Sequence, residues 1–229
     1  MGSKRHARRS KAEKADKMKG MFITFEGPEG GGKSTQIKLL AKRLKAAGRR
    51  VMITREPGGT PTGELIRDVL QHNKSGEALL PETELLLFEA SRAQLVRKVI
   101  LPAIQKGVVV LCDRFFDSTT AYQGYGRGMD LKGIDTMNRV AAGRAVPGLT
   151  ILIDVSHSTG FGRLRRRNHA MKTGHDRIER ENRSFHQRVR RGFIRIAREN
   201  PGRIKVVDGS RDLKALEADI WKIVKRCLP

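Results

Sequence analysis

Residues 21–34 read Met21-Phe22-Ile23-Thr24-Phe25-Glu26-Gly27-Pro28-Glu29-Gly30-Gly31-Gly32-Lys33-Ser34, an apolar run that leads directly into a glycine-rich loop. The loop matches the pattern G-x-x-x-x-G-K-[ST] at every fixed position. Glycines let successive backbone N–H groups turn toward an anion, while the lysine can reach the β- and γ-phosphates and the serine hydroxyl can bind Mg²⁺. The pattern predicts a strand, a cradle for a nucleoside triphosphate and the start of a helix. The residues expected around the phosphates are Gly27, Pro28, Glu29, Gly30, Gly31, Gly32, Lys33, Ser34 and Thr35.

Working outward from this loop, further apolar runs alternate with helical patterns along the chain. Runs that are apolar throughout indicate strands covered on both faces, as in a parallel sheet between two layers of helices. We therefore expect an α/β fold with a doubly wound five-stranded parallel sheet. The predicted strands are 21–26, 51–54, 108–112, 149–153 and 203–207, and the predicted helices are 34–47, 61–72, 81–106, 132–144, 178–199 and 211–227.

The composition suits one domain with a charged N-terminal arm. The 229 residues are 38% hydrophobic, which is enough for one well-buried α/β domain. Residues 1–19 are basic and nearly free of apolar side chains, so they are interpreted as a disordered arm preceding a single domain at 20–229. No apolar segment approaches the length of a bilayer span, and no secretory signal is recognisable, so we expect a cytoplasmic protein without membrane contact. The two cysteines, Cys112 and Cys227, are too few for a disulfide framework.

Polar side chains follow three of the predicted strands and should meet at one edge of the sheet. Glu29 lies inside the anion-binding loop, where its carboxylate would repel a triphosphate, so it is expected to face a donor such as a sugar hydroxyl. Arg55, Arg92 and Arg114 flank the same cleft, and a guanidinium group suits a second phosphate. Each arginine, taken alone, is equally compatible with a surface salt bridge. Together these residues predict two phosphorylated ligands in one cleft.

Six stretches of the chain, taken in order, form one recognisable set. They are Phe25-Glu26-Gly27-Pro28-Glu29-Gly30-Gly31-Gly32-Lys33-Ser34-Thr35-Gln36, Thr54-Arg55-Glu56-Pro57-Gly58-Gly59-Thr60, Leu87-Phe88-Glu89-Ala90-Ser91-Arg92-Ala93-Gln94, Asp113-Arg114-Phe115, Ser118-Thr119-Thr120-Ala121-Tyr122-Gln123-Gly124 and Asp176-Arg177-Ile178-Glu179. Together they resemble the thymidylate kinase family, whose P-loop enzymes pass a phosphoryl group from ATP to dTMP on the way to dTTP. The resemblance covers residues 20–227 and implies a P-loop NTPase-type fold with a small mobile lid.

The resemblance also implies roles for the acceptor side of the cleft. Phe88 would stack on thymine and Arg92 would donate to a base carbonyl. Arg114 would bind the dTMP phosphate, Glu29 the 3′-hydroxyl, and Tyr122 would fill the space beside the 2′ carbon of the sugar. The remaining implied substrate contacts are Arg55, Pro57, Ser118, Thr119 and Gln123.

The donor side carries the catalytic and metal expectations. Ser34 would contact Mg²⁺, and Asp113 either reaches the same ion from an outer shell or orients Arg114 or Arg55. The basic stretch 163–177 resembles the lid of bacterial family members, which brings arginines over the ATP phosphates. Arg163 and Arg167 share a face if this stretch is helical, whereas Arg165 points elsewhere. The residues expected to act in catalysis are Lys33, Arg114, Arg163, Arg167 and Glu29.

Two alternatives remain open at this stage. A phosphotransferase acting on another nucleoside monophosphate would carry the same loop, although Phe88, Arg92 and Tyr122 argue against it. The formal net charge of +23 also allows a P-loop protein that binds nucleic acid. Two segments hold much of that charge, +6 over residues 1–20 and +11 over residues 163–205, so nucleic acid is possible but not expected as the main ligand. By resemblance alone, we expect a homodimer.

Overall fold

The computed structural model describes residues 20–72, 76–171, 174 and 176–228. The predicted arm at 1–19 lies outside these residues, as do positions 172, 173 and 175 of the predicted lid. The division into an arm and one domain therefore stays a prediction.

A five-stranded parallel sheet forms the centre of the fold, in the order β2-β3-β1-β4-β5. β1 is the middle strand, and Thr24 on it pairs with Cys112 on one side and with Thr150 on the other. All five residues of β1 are buried, as its uninterrupted apolar run predicts. The strands are β1 (Phe22–Glu26), β2 (Val51–Arg55), β3 (Val109–Asp113), β4 (Leu149–Asp154) and β5 (Ile204–Asp208), so each predicted strand is confirmed to within one residue.

Helices cover both faces of this sheet. Two of them continue through π-helical turns, at Val96–Ile100 and at Thr120–Gly126. In the described part of the chain the helices are α1 (Lys33–Ala46), α2 (Pro61–His72), α3 (Pro81–Leu95), α4 (Leu101–Gln105), α5 (Phe116–Thr119), α6 (Leu131–Ala142), α7 (His157–Met171), α8 (Arg183–Glu199) and α9 (Leu213–Cys227). None of them combines the length and apolar character needed to cross a bilayer.

Alternate residues of the strands point to opposite faces of the sheet and pack into separate clusters of core side chains. Ile23 and Phe25 face α1 and α9, whereas Phe22 faces the segment around α3 and α4. Leu152 on β4 packs against α8 and the turn that follows α5. Because helices pack on both faces, the carboxyl ends of the strands are where a sheet of this kind binds ligands.

Three helical segments differ from the sequence-based expectation by more than two residues. The helix predicted at 178–199 begins at Arg183, because Asn182 caps it by accepting a hydrogen bond from the Phe185 amide at 2.9 Å. The segment at 116–126, for which no helix is predicted, is helical throughout. α7 starts at His157, where the Ser156 hydroxyl accepts a hydrogen bond from the Thr159 amide at 3.2 Å.

Candidate active site

The glycine-rich loop delivers Lys33 as the first residue of α1. Gly32 precedes it with a φ of 91°, in the left-handed region that favours glycine. The Lys33 Nζ donates to the carbonyls of Gly27 and Pro28, each at 2.9 Å, so its ammonium group lies over the loop. Burial, reinforced by the charge of Arg114, lowers the pKa of Lys33 to about 8 against the opposing effect of Glu29 and Asp113. The loop thus holds a cation where a triphosphate would lie.

Gly30 lies against the first turns of α7. Its φ is 70°, and a Cβ at this position would overlap the Gly160 carbonyl, while a Cβ at Gly160 would overlap the Glu29 carbonyl. An arginine at position 30 would therefore require α7 to move. Cationic groups other than Lys33 have to reach the donor phosphates from outside the loop.

One cavity of about 580 Å³ is lined by nearly all of the predicted site residues. It extends from the phosphate loop to Phe88, so the two expected ligand positions are continuous. Gly27 and Pro28 are not among its lining residues, although their carbonyls accept hydrogen bonds from Lys33, which does line it. The predicted residues that line it are Glu29, Gly30, Gly31, Gly32, Lys33, Ser34, Thr35, Arg55, Pro57, Phe88, Arg92, Asp113, Arg114, Ser118, Thr119, Tyr122, Gln123, Arg163 and Arg167.

Arg114 forms the centre of a buried ionic cluster. Its Nη2 donates to Glu29 Oε1 at 2.6 Å and to the Tyr122 hydroxyl at 3.0 Å, and Tyr122 in turn donates to Glu29 at 2.8 Å. Its Nη1 donates to the Gly27 carbonyl at 3.2 Å, the same oxygen that accepts from Lys33. Two cations from different strand ends therefore converge on one carbonyl at the middle of the cavity.

The electrostatics of this cluster keep Glu29 ionised. Burial alone would raise the pKa of Glu29, but the charges of Arg114 and Lys33 and the Tyr122 hydroxyl outweigh it and lower the pKa to about 2. The Arg114 pKa is raised: burial alone would lower it, but Glu29 together with Tyr122, Asp113 and Glu26 outweighs that desolvation. A carboxylate, rather than a carboxylic acid, faces the cleft.

Glu26, the last residue of β1, holds two groups that adjoin Arg114. Its carboxylate accepts from the Phe115 amide at 2.7 Å and from the Ser118 hydroxyl at 2.5 Å, and Ser118 in turn accepts from Arg114 at 3.1 Å. Burial and the neighbouring Asp117 raise the pKa of Glu26 to about 8. Arg114 itself has a φ of 71°, so its backbone lies in the left-handed region. These contacts hold a strained residue in place at the end of β3.

Arg92 is buried, with 1% of its surface exposed, and uses all five of its N–H groups. It donates twice to Glu56, at 2.9 and 2.7 Å, and once to Glu89 at 2.7 Å. Asn138 and Thr119 accept its other two hydrogen bonds, at 2.8 and 2.9 Å. Burial raises the pKa of Glu56 to about 7 despite the charge of Arg92. A base carbonyl could therefore receive a hydrogen bond from Arg92 only in exchange for one of these partners.

The acceptor end of the cavity is closed by side chains from α3 and from the helical segment after β3. Phe88 is half-buried in its wall. Gln123 donates to Glu84 at 2.7 Å, which leaves its carbonyl oxygen for other donors. Arg55 lies nearer to solvent, paired with Glu64 at 2.8 Å, and the carbonyl of Pro57 accepts from Arg67 at 2.9 Å.

Two arginines of α7 face the cavity, as their helical spacing predicts. Arg163 donates to the Gly209 carbonyl at 2.7 Å, and Arg167 pairs with Glu179 at 2.9 Å. Arg165 is exposed and is not among the residues that line the cavity in the described part of the chain. Both inward arginines are therefore held by protein acceptors at the rim of the donor end.

Ser34 and Asp113 meet where the phosphate loop faces the end of β3. The Ser34 hydroxyl donates to Asp113 Oδ2 at 2.6 Å. Arg55 and Arg114, the alternative partners considered for Asp113, pair with Glu64 and Glu29 instead. A hydroxyl and a carboxylate oxygen are ligands suited to Mg²⁺.

Sequence reasoning assigned no role to several residues that line the cavity. Five of them lie inside stretches that resemble the family, so the sequence indicates the region but not the contacts of each side chain. These are Glu56, Phe115, Asp176, Ile178 and Glu179. Three others come from α2, where no motif marks them: Arg67, Leu70 and Gln71.

Comparison with known proteins identifies the family of this chain. The family model described as thymidylate kinase matches residues 25–220. The chain belongs to the thymidylate kinase family. A thymidylate kinase from Syntrophotalea carbinolica is 48% identical over 209 residues, which cover 90% of this chain and 96% of that protein. One from Trichlorobacter lovleyi is 51% identical over 191 residues, or 83% and 90% of the two chains.

A solved structure from the same family supports the fold. The crystal structure of thymidylate kinase from Ehrlichia chaffeensis superposes with a TM-score of 0.71 at 36% identity, covering 90% of this chain and 98% of that one. The family resemblance and the P-loop fold inferred from the sequence are thereby confirmed.

Proposed function

We propose that this protein transfers the γ-phosphoryl group of ATP to dTMP, giving dTDP and ADP in the synthesis of dTTP. The observation that carries this proposal is the convergence of Lys33 and Arg114 on the Gly27 carbonyl, midway along one continuous cavity. Two nucleotides entering from opposite ends would meet with their phosphates at these cations. Family membership supports the same reaction.

On the donor side, the loop amides and Lys33 would bind the β- and γ-phosphates of ATP. Arg163 and Arg167 would leave their acceptors, Gly209 and Glu179, and turn to the phosphates. Positive charge added there stabilises the transferring phosphoryl group as its bond to the leaving oxygen loosens. Closure of this segment would also exclude water and so suppress ATP hydrolysis.

On the acceptor side, Arg114 would bind the dTMP phosphate and Glu29 would accept a hydrogen bond from the 3′-hydroxyl. Phe88 would stack on thymine, and Tyr122 would occupy the space beside the 2′ carbon. Holding both phosphates in line is enough for transfer without a covalent intermediate. The other residues assigned to substrate binding are Arg55, Pro57, Arg92, Ser118, Thr119 and Gln123.

Ser34 and Asp113 would hold Mg²⁺, directly or through water, because their oxygens already lie within 2.6 Å of each other. The ion would neutralise charge on the β- and γ-phosphates.

We also propose that the enzyme acts in the cytoplasm. A homodimer is proposed by analogy with the family alone, and sedimentation velocity would test it.

The activity is tested by a coupled ADP-release assay with dTMP, dUMP, dCMP, AMP and GMP as acceptors. We expect dTMP to give the highest kcat/KM, and equal or greater turnover with AMP would overturn the assignment. Lys33→Ala should abolish turnover, whereas Lys38→Ala, an exposed lysine on the same helix, should not. Substantial activity in the Lys33→Ala enzyme would contradict the role given to the loop.

A further inference from the structure

A second cavity, of about 930 Å³, adjoins the active site on the other side of the phosphate loop. Its walls are the first turn of α7 and one face of α8, and its lining includes Pro28 and Glu29. Glu29 also lines the active site, so the two cavities are neighbours. The volume falls within the range of small-molecule sites, roughly 300–1,000 Å³.

The α8 wall of this groove carries an excess of positive charge. Two of its arginines are matched by carboxylates, Arg190 by Asp154 at 2.7 Å and Arg195 by Glu199 at 2.9 Å. Three others are exposed and form no hydrogen bond or ion pair with any residue that the structure describes. These are Arg183, Arg191 and Arg198. A face with three unmatched guanidinium groups favours an anionic ligand with several phosphate oxygens.

Aromatic rings from the first turns of α7 meet His186 of α8 in the same groove, and His186 contains an unused polar atom. His157 stacks on Phe161 with ring centroids 4.2 Å apart and an interplanar angle of 20°, and His186 meets Phe161 edge-on at 4.7 Å. His186 is 7% exposed, and its Nε2 is buried without a hydrogen-bond partner among the described residues. A buried polar group of this kind costs stability unless a ligand satisfies it.

We propose that this groove is a second nucleotide site, which binds a nucleoside triphosphate with its phosphates on the arginines of α8 and its base against His157 and Phe161. The His186 Nε2 is then available to hydrogen-bond the ligand. A single strand of nucleic acid is disfavoured because the rings form one cluster, whereas strand-binding surfaces offer successive stacking positions. The site lies beside the acceptor end of the active site but shares only Glu29 with it.

The test separates this groove from the active site by filling the latter first. The full chain is saturated with a compound that joins adenosine and thymidine through five phosphates, and a fluorescent N-methylanthraniloyl ATP is then titrated with anisotropy as the readout. We expect one further saturable site per chain. Arg191→Ala and Arg198→Ala should each weaken it about tenfold, since each removes a charge-assisted contact. Phe161→Leu, which keeps apolar volume but removes the ring, should weaken it as well.

Arg226→Ala, at an exposed position in the last turn of α9, is the matched control and should bind as the unchanged chain does. Kinase activity should persist in the two α8 variants, which shows that they fold. The proposal is overturned if no probe binds once the active site is filled, or if the α8 variants bind it unchanged. If inorganic triphosphate displaces the probe as effectively as ATP does, the proposed contact between the base and His157 and Phe161 is wrong. If the affinity for oligothymidylate rises with each added nucleotide, the ligand of the groove is a single strand of nucleic acid and not a nucleoside triphosphate.

Discussion

Replacing Glu29 by Gln removes the only carboxylate bonded to Arg114 in the described part of the chain while keeping the side-chain shape. In the folded protein the pKa of Glu29 falls from its ordinary 4.5 to about 2, because Arg114 and Lys33 outweigh the effect of burial. At about 1.4 kcal/mol per pKa unit, that difference corresponds to on the order of 3 kcal/mol of stability. The side chain is 19% exposed, so solvent screens the interaction only partly.

The sign follows from the lowered pKa. The contribution is fully present above the unfolded value of 4.5 and is lost as the pH falls toward the folded value of about 2. Urea unfolding should therefore show Glu29→Gln less stable than the unchanged chain near pH 7, with the difference shrinking as the pH falls through about 4.

Asp135→Asn serves as the control for Glu29→Gln, because Asp135 forms an exposed pair with Arg139. It should change stability by less than about 0.5 kcal/mol at any pH. A Glu29→Gln chain as stable as the unchanged one near pH 7, or a stability deficit independent of pH, would show that the ionised Glu29 does not stabilise the fold through Arg114 and Lys33.

The remaining predictions concern the walls of the same cavity. Arg92→Gln should lower the free energy of unfolding by about 3–5 kcal/mol in urea, because it leaves buried carboxylates without a cation, and a loss below about 1 kcal/mol would contradict this. Arg167→Ala should reduce kcat by about 10²–10³ in the ADP-release assay, whereas its exposed neighbour variant Arg165→Ala should keep most of the activity; equal losses would reject the assignment. Tyr122→Phe should lower kcat/KM for dTMP about tenfold through the lost hydroxyl contacts, yet keep the preference for dTMP over its ribose counterpart because the ring remains. Loss of that preference would show that the hydroxyl, rather than the ring, excludes ribose.

The sequence predicts those parts of the fold that depend on residues close together in the chain. The buried strands and the phosphate loop follow from apolar runs and a fixed spacing, and they are found where expected. The start of α7 was not predictable in this way, because its early turns contain two glycines, Gly160 and Gly162, and glycine is a poor helix former. Gly160 is required there by its contact with the Glu29 carbonyl, which only the tertiary structure reveals.

The same distinction applies to the candidate site. That Arg163 and Arg167 share a face follows from helical spacing, but the groups that hold them, Gly209 and Glu179, lie outside the helix, 46 and 12 residues further along the chain. The full coordination of Arg92 likewise depends on Glu56 and Asn138, from separate segments. Long-range partners of this kind leave no periodic signal in the chain.

In the proposed reaction ATP and dTMP meet end to end in one cavity, with Lys33 and Arg114 where their phosphates touch. The decisive measurement is inhibition by the five-phosphate compound of adenosine and thymidine, with ATP and dTMP varied in turn. We expect competition with both substrates and one molecule bound in the active site. Competition with only one of them, or simultaneous binding of the compound and dTMP, would contradict it.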